Sequence, residues 1–121
     1  MEYIPPMVQY PIVTQRDRYR GKDASKTEKA RRFNDASARI EAHLNRQLQN
    51  QEQPIKIYLY SVIANELGLS RETVAKCCMV VDGGSNGLTA YRHDMTLGQA
   101  LEAQSKWIDQ ASGEPRDSGQ S

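Results

Sequence analysis

Arg71, Glu72, Thr73 and Lys76 fall inside one short stretch, "LSRETVAKCC". Together they offer a forked guanidinium, an acceptor carboxylate, a hydroxyl that can donate or accept, and an ammonium. Such a set suits the recognition of a patterned polar surface better than the making or breaking of bonds. The constellations that catalysis needs are not in this chain: there is no nucleophile elbow, no phosphate loop and no pair of acids. His43 and His93 stand at no metal-ligand spacing, although Asp94 directly follows His93. An enzyme is therefore not expected, nor a metal or cofactor.

Recognition of this kind requires that the side chains be held on one exposed face. The longer stretch "SVIANELGLSRETVAKCC" has the residues to do so. Where two helices cross steeply, the first must present a small residue, and Ala64 is one. The turn between them needs a positive φ, which Gly68 adopts at least cost. Leu69 is an apolar anchor for that turn, and Ser70 is among the best helix N-caps. Val74 then falls inside the second helix, to pack with Ile63 and Leu67. At 3.6 residues per turn, the inward side of this helix is Val74, Cys77 and Cys78. Its outward arc centres on Glu72, Lys76 and Met79, flanked by Thr73 and Ala75, with Arg71 at its edge. The two cysteines are adjacent and point about 100° apart, so a bond between them is not expected. They read as small buried hydrophobes rather than as a redox switch.

The flanking elements are legible in outline. Ser25, with Glu28 three residues on, has capping-box spacing for a helix whose apolar stripe is Phe33, Ala36, Ile40, Leu44 and Leu48. Arg31, Arg39, Glu41 and Arg46 occupy its opposite face, and Pro54 ends it. "PIKIYLY" alternates Ile55, Ile57 and Leu59 against Lys56, Tyr58 and Tyr60, which predicts a strand burying the first set. "MVVDGGSNGLTAYR" reads as a hairpin turning at Gly83–Gly87. Thr96 and Gln99 cap a last helix, with Leu97, Leu101 and Ile108 on one face and Ala100 and Trp107 beside it. Three segments follow: an extended arm at 1–23, a domain at 24–110 and a disordered tail at 111–121. The arm, with Tyr3, Ile4, Met7, Val8, Tyr10, Ile12 and Val13, must pack on the domain or on a second subunit.

The chain has 121 residues and a net charge of +1, distributed unevenly. From Arg16 to Arg46 ten Lys/Arg oppose five Asp/Glu, whereas from Asp82 onward three oppose six. A phosphate-facing side and an acidic side are compatible with that asymmetry, as is scattered solvated charge. No apolar run approaches the roughly 20 residues of a membrane span. "MEYIPPMVQYPIV" has neither the basic start nor the apolar core of a secretory signal. With two adjacent cysteines and no disulfide framework, a cytoplasmic location is expected.

Over the 20 residues from Tyr60 to Met79 the chain resembles the helix–turn–helix family. The preceding strand and following hairpin extend the likeness to the winged form, from Ser25 to Arg92. The fold class this implies is mainly α with a small β-hairpin wing, an extended arm before it and a helix after it. The implied function is sequence-specific binding of double-stranded DNA, most simply by a transcriptional repressor acting as a homodimer, nucleoid-associated when bound. In that family the front of the second helix enters the major groove. The resemblance assigns Ser70, Arg71, Glu72, Thr73, Ala75 and Lys76 to that contact. Arg71 could fork onto guanine and Glu72 accept from cytosine; Ser70 and the free amides of the helix start could hold a phosphate. The wing departs from the pattern: Asp82 to Gly87 carries no base, and the first is Arg92. "RDRYRGK" offers Arg16, Arg18, Arg20 and Lys22 as a mobile basic arm, or as a solvated linker. No room remains for a small-molecule effector domain. Two alternatives stand: a plasmid or phage origin, partition or packaging-site binder, and a winged-helix protein–protein interaction module.

Overall fold

Six elements follow one another along the chain: α1 (Ala24–Gln49), β1 (Ile55–Leu59), α2 (Tyr60–Leu67), α3 (Arg71–Asp82), β2 (Gly87–Tyr91) and α4 (Leu97–Ser112). The computed structural model describes residues 7–82 and 86–112, the side chains of 80, 82 and 108–112 excepted. The first six residues of the expected arm, the glycine-rich tip at 83–85, the face position Ile108 and residues 113–121 of the expected tail thus lie outside what is described. The architecture is a mainly helical domain with a small two-stranded antiparallel β-wing, the class expected from sequence.

Helix α1 lays Ala36, Ile40, Leu44 and Leu48 into the core, with Phe33 partly buried at its edge. That is the predicted stripe. Its start differs from expectation. Asp23, not Ser25, is the N-cap, accepting from the amides of Ser25 (2.9 Å) and Lys26 (3.2 Å). A carboxylate gains more than a hydroxyl from the positive end of the helix dipole. Glu28, freed from capping, instead grips the Arg31 guanidinium at 2.6 and 3.0 Å.

The strands require three corrections. Ile57 and Leu59, expected inside, are 60% and 46% exposed, while Tyr58 and Tyr60 are buried. Tyr58 lies opposite Leu88 in the ladder, and both face the core beside Ala90. Its ring satisfies the apolar side while its hydroxyl donates to Gln51 Oε1 (2.8 Å), and burial pushes the phenol up to about 12. Tyr60 is no longer strand but the first residue of α2. Nor does β2 pair with the run at 79–82, which is the last turn of α3. Its partner is β1, from Ile55↔Tyr91 to Leu59↔Gly87. Val81 continues the inward series Val74, Cys77, Cys78 at helical spacing and packs on the core, so burial outweighs β-branched preference there. At the junction Gly87 lets the strands approach: a Cβ there would stand 2.7 Å from the Tyr58 carbonyl oxygen.

Between the strands lies the bend the sequence called for. Gly68 takes φ 68°, and the Leu69 amide donates to the Ala64 carbonyl (2.9 Å), closing a Schellman turn. Arg39 reaches from α1 to the Leu67 carbonyl (2.8 Å), satisfying a further exposed acceptor at this helix end. Ser70 Oγ accepts from the Thr73 amide (3.1 Å), which starts α3 at once. Ile63 and Ala64 from α2 and Val74, Cys77 and Cys78 from α3 are all buried together. Fully burying a side chain such as Ile63 or Val74 contributes about 1.5–3 kcal/mol.

Helix α4 begins with the predicted reciprocal cap, Thr96 N to Gln99 Oε1 (2.9 Å) and Gln99 N to Thr96 Oγ1 (3.1 Å). It buries Ala100 but leaves Leu97, Leu101 and Trp107 exposed. The described part of the arm packs on its own domain. Val8 bridges β2, giving its amide to Thr89 and accepting from Tyr91, and Ile12 enters the core.

No atom lies within 4 Å of where a Gly68 side chain would begin, so a substitution there meets backbone strain alone. Gly68→Val is expected to lower the unfolding free energy by about 1–3 kcal/mol, and Gly68→Asn by less. Urea midpoints measure both; a Val variant as stable as the parent would place the turn's strain elsewhere.

Candidate nucleic-acid interface

With Val74, Cys77 and Cys78 turned inward, α3 presents Arg71, Glu72, Lys76 and Met79 to solvent, with Thr73 and Ala75 half-buried at the margins. Glu72, Thr73, Ala75, Lys76 and Met79 line one open groove of about 400 Å³. Five of the positions assigned from sequence are therefore brought onto one helix face: Arg71, Glu72, Thr73, Ala75 and Lys76. Ser70 stands at its head, but its hydroxyl is engaged in the cap and lies 2.8 Å from Thr73 Oγ1. Arg71 hydrogen-bonds the Asn86 side chain, which precedes β2. Reaching a base edge would require it to exchange that partner. The thiol of Cys77 is pushed up by burial, partly offset by the nearby Ser37 hydroxyl and by the charges of Arg16 and Lys76. Neither cysteine is in a disulfide, and both are fully buried.

The basic arm is fixed rather than loose. Four polar residues at helical spacing on α1 hold it. Asn45 exchanges two hydrogen bonds with the Ile12 backbone (2.8 and 3.0 Å). Glu41 accepts from the Thr14 amide (2.9 Å), and Asn34 exchanges two bonds with the Asp17 backbone (2.8 and 3.0 Å). Ser37, buried, donates to the Gln15 carbonyl (2.5 Å). On its other side the arm gives the Gln15 amide to the Cys77 carbonyl of α3 (2.8 Å). Arg16 completes the lock: its guanidinium donates to Thr14 Oγ1 (2.6 Å) and Ser37 Oγ (2.9 Å) and pairs with Glu41 (3.3 Å).

The arm therefore runs between α1 and α3, and its cations meet the exposed helix. Arg16, Arg18 and Lys76 share a second groove, of about 380 Å³, with Lys29 and Phe33 of α1. Arg20 and Lys22 are exposed on the approach to Asp23 and line neither groove. Arg92 is not gathered in. It follows the far end of β2, bound in a fork to Asp94, whose carboxyl it holds below the usual carboxylate range. Lys29 and Phe33 are the lining residues that sequence reasoning missed. So was the stripe Asn34, Ser37, Glu41, Asn45, in which Glu41 had been placed on the solvent face. Its steps of three, four and four were the available signal.

No family model, curated protein or solved structure matches this chain.

Ser37→Ala would strip the Gln15 carbonyl and the Arg16 guanidinium of a buried partner. The expected loss of stability is about 1–3 kcal/mol, accompanied by faster amide exchange at residues 14–17. Thermal melts and hydrogen exchange measure these; unaltered protection of the arm would show that its other bonds suffice.

Proposed function

We propose that this chain is a winged helix–turn–helix protein that binds double-stranded DNA by sequence, with α3 as its reading helix. The observation that carries the proposal is the outer face of α3: Arg71, Glu72 and Lys76 exposed side by side, directly after a glycine-bent turn, with fixed arm cations beside them. A helix of this diameter fits the major groove, where a guanidinium can take both guanine acceptors and a carboxylate can take a cytosine amino hydrogen. The simplest role is a transcriptional repressor acting by occlusion, without catalysis or a cofactor, in the cytoplasm. Origin, partition or packaging-site binding would use the same face.

One such module makes few base contacts, so useful affinity calls for a two-fold dimer on a palindromic site. Ile57, Leu59 and Val62 line one open groove, and Leu97, Leu101 and Trp107 are exposed on α4; these are the apolar surfaces such a contact would draw on. The same exposed apolar groups favour a second role, as a protein-interaction module, as does Met79 at 51% exposure in the middle of the α3 face. No described helix is long and apolar enough to cross a membrane.

Arg71→Ala and Glu72→Ala are each expected to relax preference at one base pair by about 1–3 kcal/mol, read from binding-site selection on randomised duplexes. Unchanged base preference in both variants would reject the assigned face. Binding of random duplex that weakens steeply with salt separates a DNA binder from an adaptor.

A further inference from the structure

Around the groove between the arm and α1 the positive groups outnumber the negative ones. Arg16, Arg18, Lys29 and Lys76 line it, and Asp17 is the sole acid among the lining residues. Asp17 is already committed: one carboxylate oxygen accepts from the Tyr19 amide (3.0 Å). Arg16 is neutralised by Glu41. Arg18, Lys29 and Lys76, in contrast, have no ion pair and no side-chain hydrogen bond to any other described residue. They come from three separate parts of the chain: the arm, α1 and α3. Bringing three cations together with Asp17 as the one carboxylate not in an ion pair is unfavourable, and an anion in the groove would relieve it. The arm's bonds to α1 and α3 fix its backbone at residues 12–17 beforehand, so binding there orders side chains and little backbone. Phe33, partly buried, gives the groove an apolar wall beside its charges.

We infer that this groove is a preformed seat for a backbone phosphodiester of bound duplex DNA, with Arg18, Lys29 and Lys76 as its cations and Phe33 against the neighbouring sugar. The inference rests on the DNA-binding role proposed above and deepens it. Lys76 belongs to both grooves, so the phosphate seat adjoins the base-reading face and sets its register. Phosphate contacts position a protein on the duplex without reading sequence. Arg16 acts differently from its arm neighbours: it is a positioning residue that keeps the wall of the seat upright.

The test is the full-length chain with a fluorescein-labelled random-sequence duplex, titrated at a series of potassium chloride concentrations. Arg18→Gln and Lys29→Gln are each expected to weaken binding roughly tenfold near ~0.1 M salt and to lower the slope of log affinity against log salt by about 0.9. The loss should be equal on all sequences. Lys106→Gln, which removes an exposed charge from α4, controls for net charge and should leave the slope unchanged. Ethylation interference on a duplex carrying a site recovered by binding-site selection gives the location: a phosphate whose ethylation blocks the parent should cease to matter for Lys29→Gln. If the parent binds duplex with a steep salt slope and both groove variants match it, the seat is overturned while DNA binding stands. If the parent shows no salt-dependent binding to duplex, the DNA-binding role fails and the seat with it.

Discussion

Asn34, Ser37, Glu41 and Asn45 of α1 grip the backbone of residues 12–17, and the Gln15 amide ties the same segment to the Cys77 carbonyl of α3. A chain segment without regular structure has backbone groups that must find partners once it leaves water. Here the partners are side chains on one stripe of α1, so the arm becomes a strap between two helices. Thr14 and Ser37 are buried polar residues, and each is tolerated because the other, with Arg16 and Glu41, completes its hydrogen bonding. Removing one member leaves the rest unsatisfied. Helix α3 packs on α1 directly through the core, and the placing of the arm's basic side chains beside α3 depends on this strap.

The electrostatics follow from the same placement. A net charge of +1 argues neither for nor against a polyanionic partner. What matters is where the charges stand. Several cations are used internally: Arg16 against Glu41, Arg31 against Glu28 and Asp35, Arg39 on the end of α2, and, in the acidic part, Arg92 against Asp94. Arg18, Lys29 and Lys76 are left over, and they share one groove beside the exposed face of α3. Exposed pairs such as Arg31–Glu28 contribute little stability.

The helix–turn–helix was readable because each geometric demand admits few residue types. Positive φ calls for glycine, an immediate restart calls for a cap, and close crossing calls for alanine; Gly68, Ser70 and Ala64 answer each. The α1 stripe and the Thr96–Gln99 cap were readable for similar reasons. Strand β1 was readable as a strand, but its inward face was not, because tyrosine is amphipathic: alternation marks two faces but does not say which is inside when one carries Tyr and the other Ile. The last turn of α3 was misread as strand because valines raise β preference, while the helical series ending at Val81 argued the other way. The strap was missed because a polar stripe is ordinarily solvated, and its partner was an irregular segment with no periodicity of its own.

The most direct test of the central claim, that the outer face of α3 and the strap beside it form one surface for duplex DNA, is amide mapping. The ¹⁵N-labelled chain would be titrated with random-sequence duplex at low salt. The account predicts that shift changes concentrate at residues 70–76, at 16–18 and around Lys29, and leave α4 and the outer face of β1 unmoved. Changes confined to α4 and β1, or the absence of any change, would contradict it.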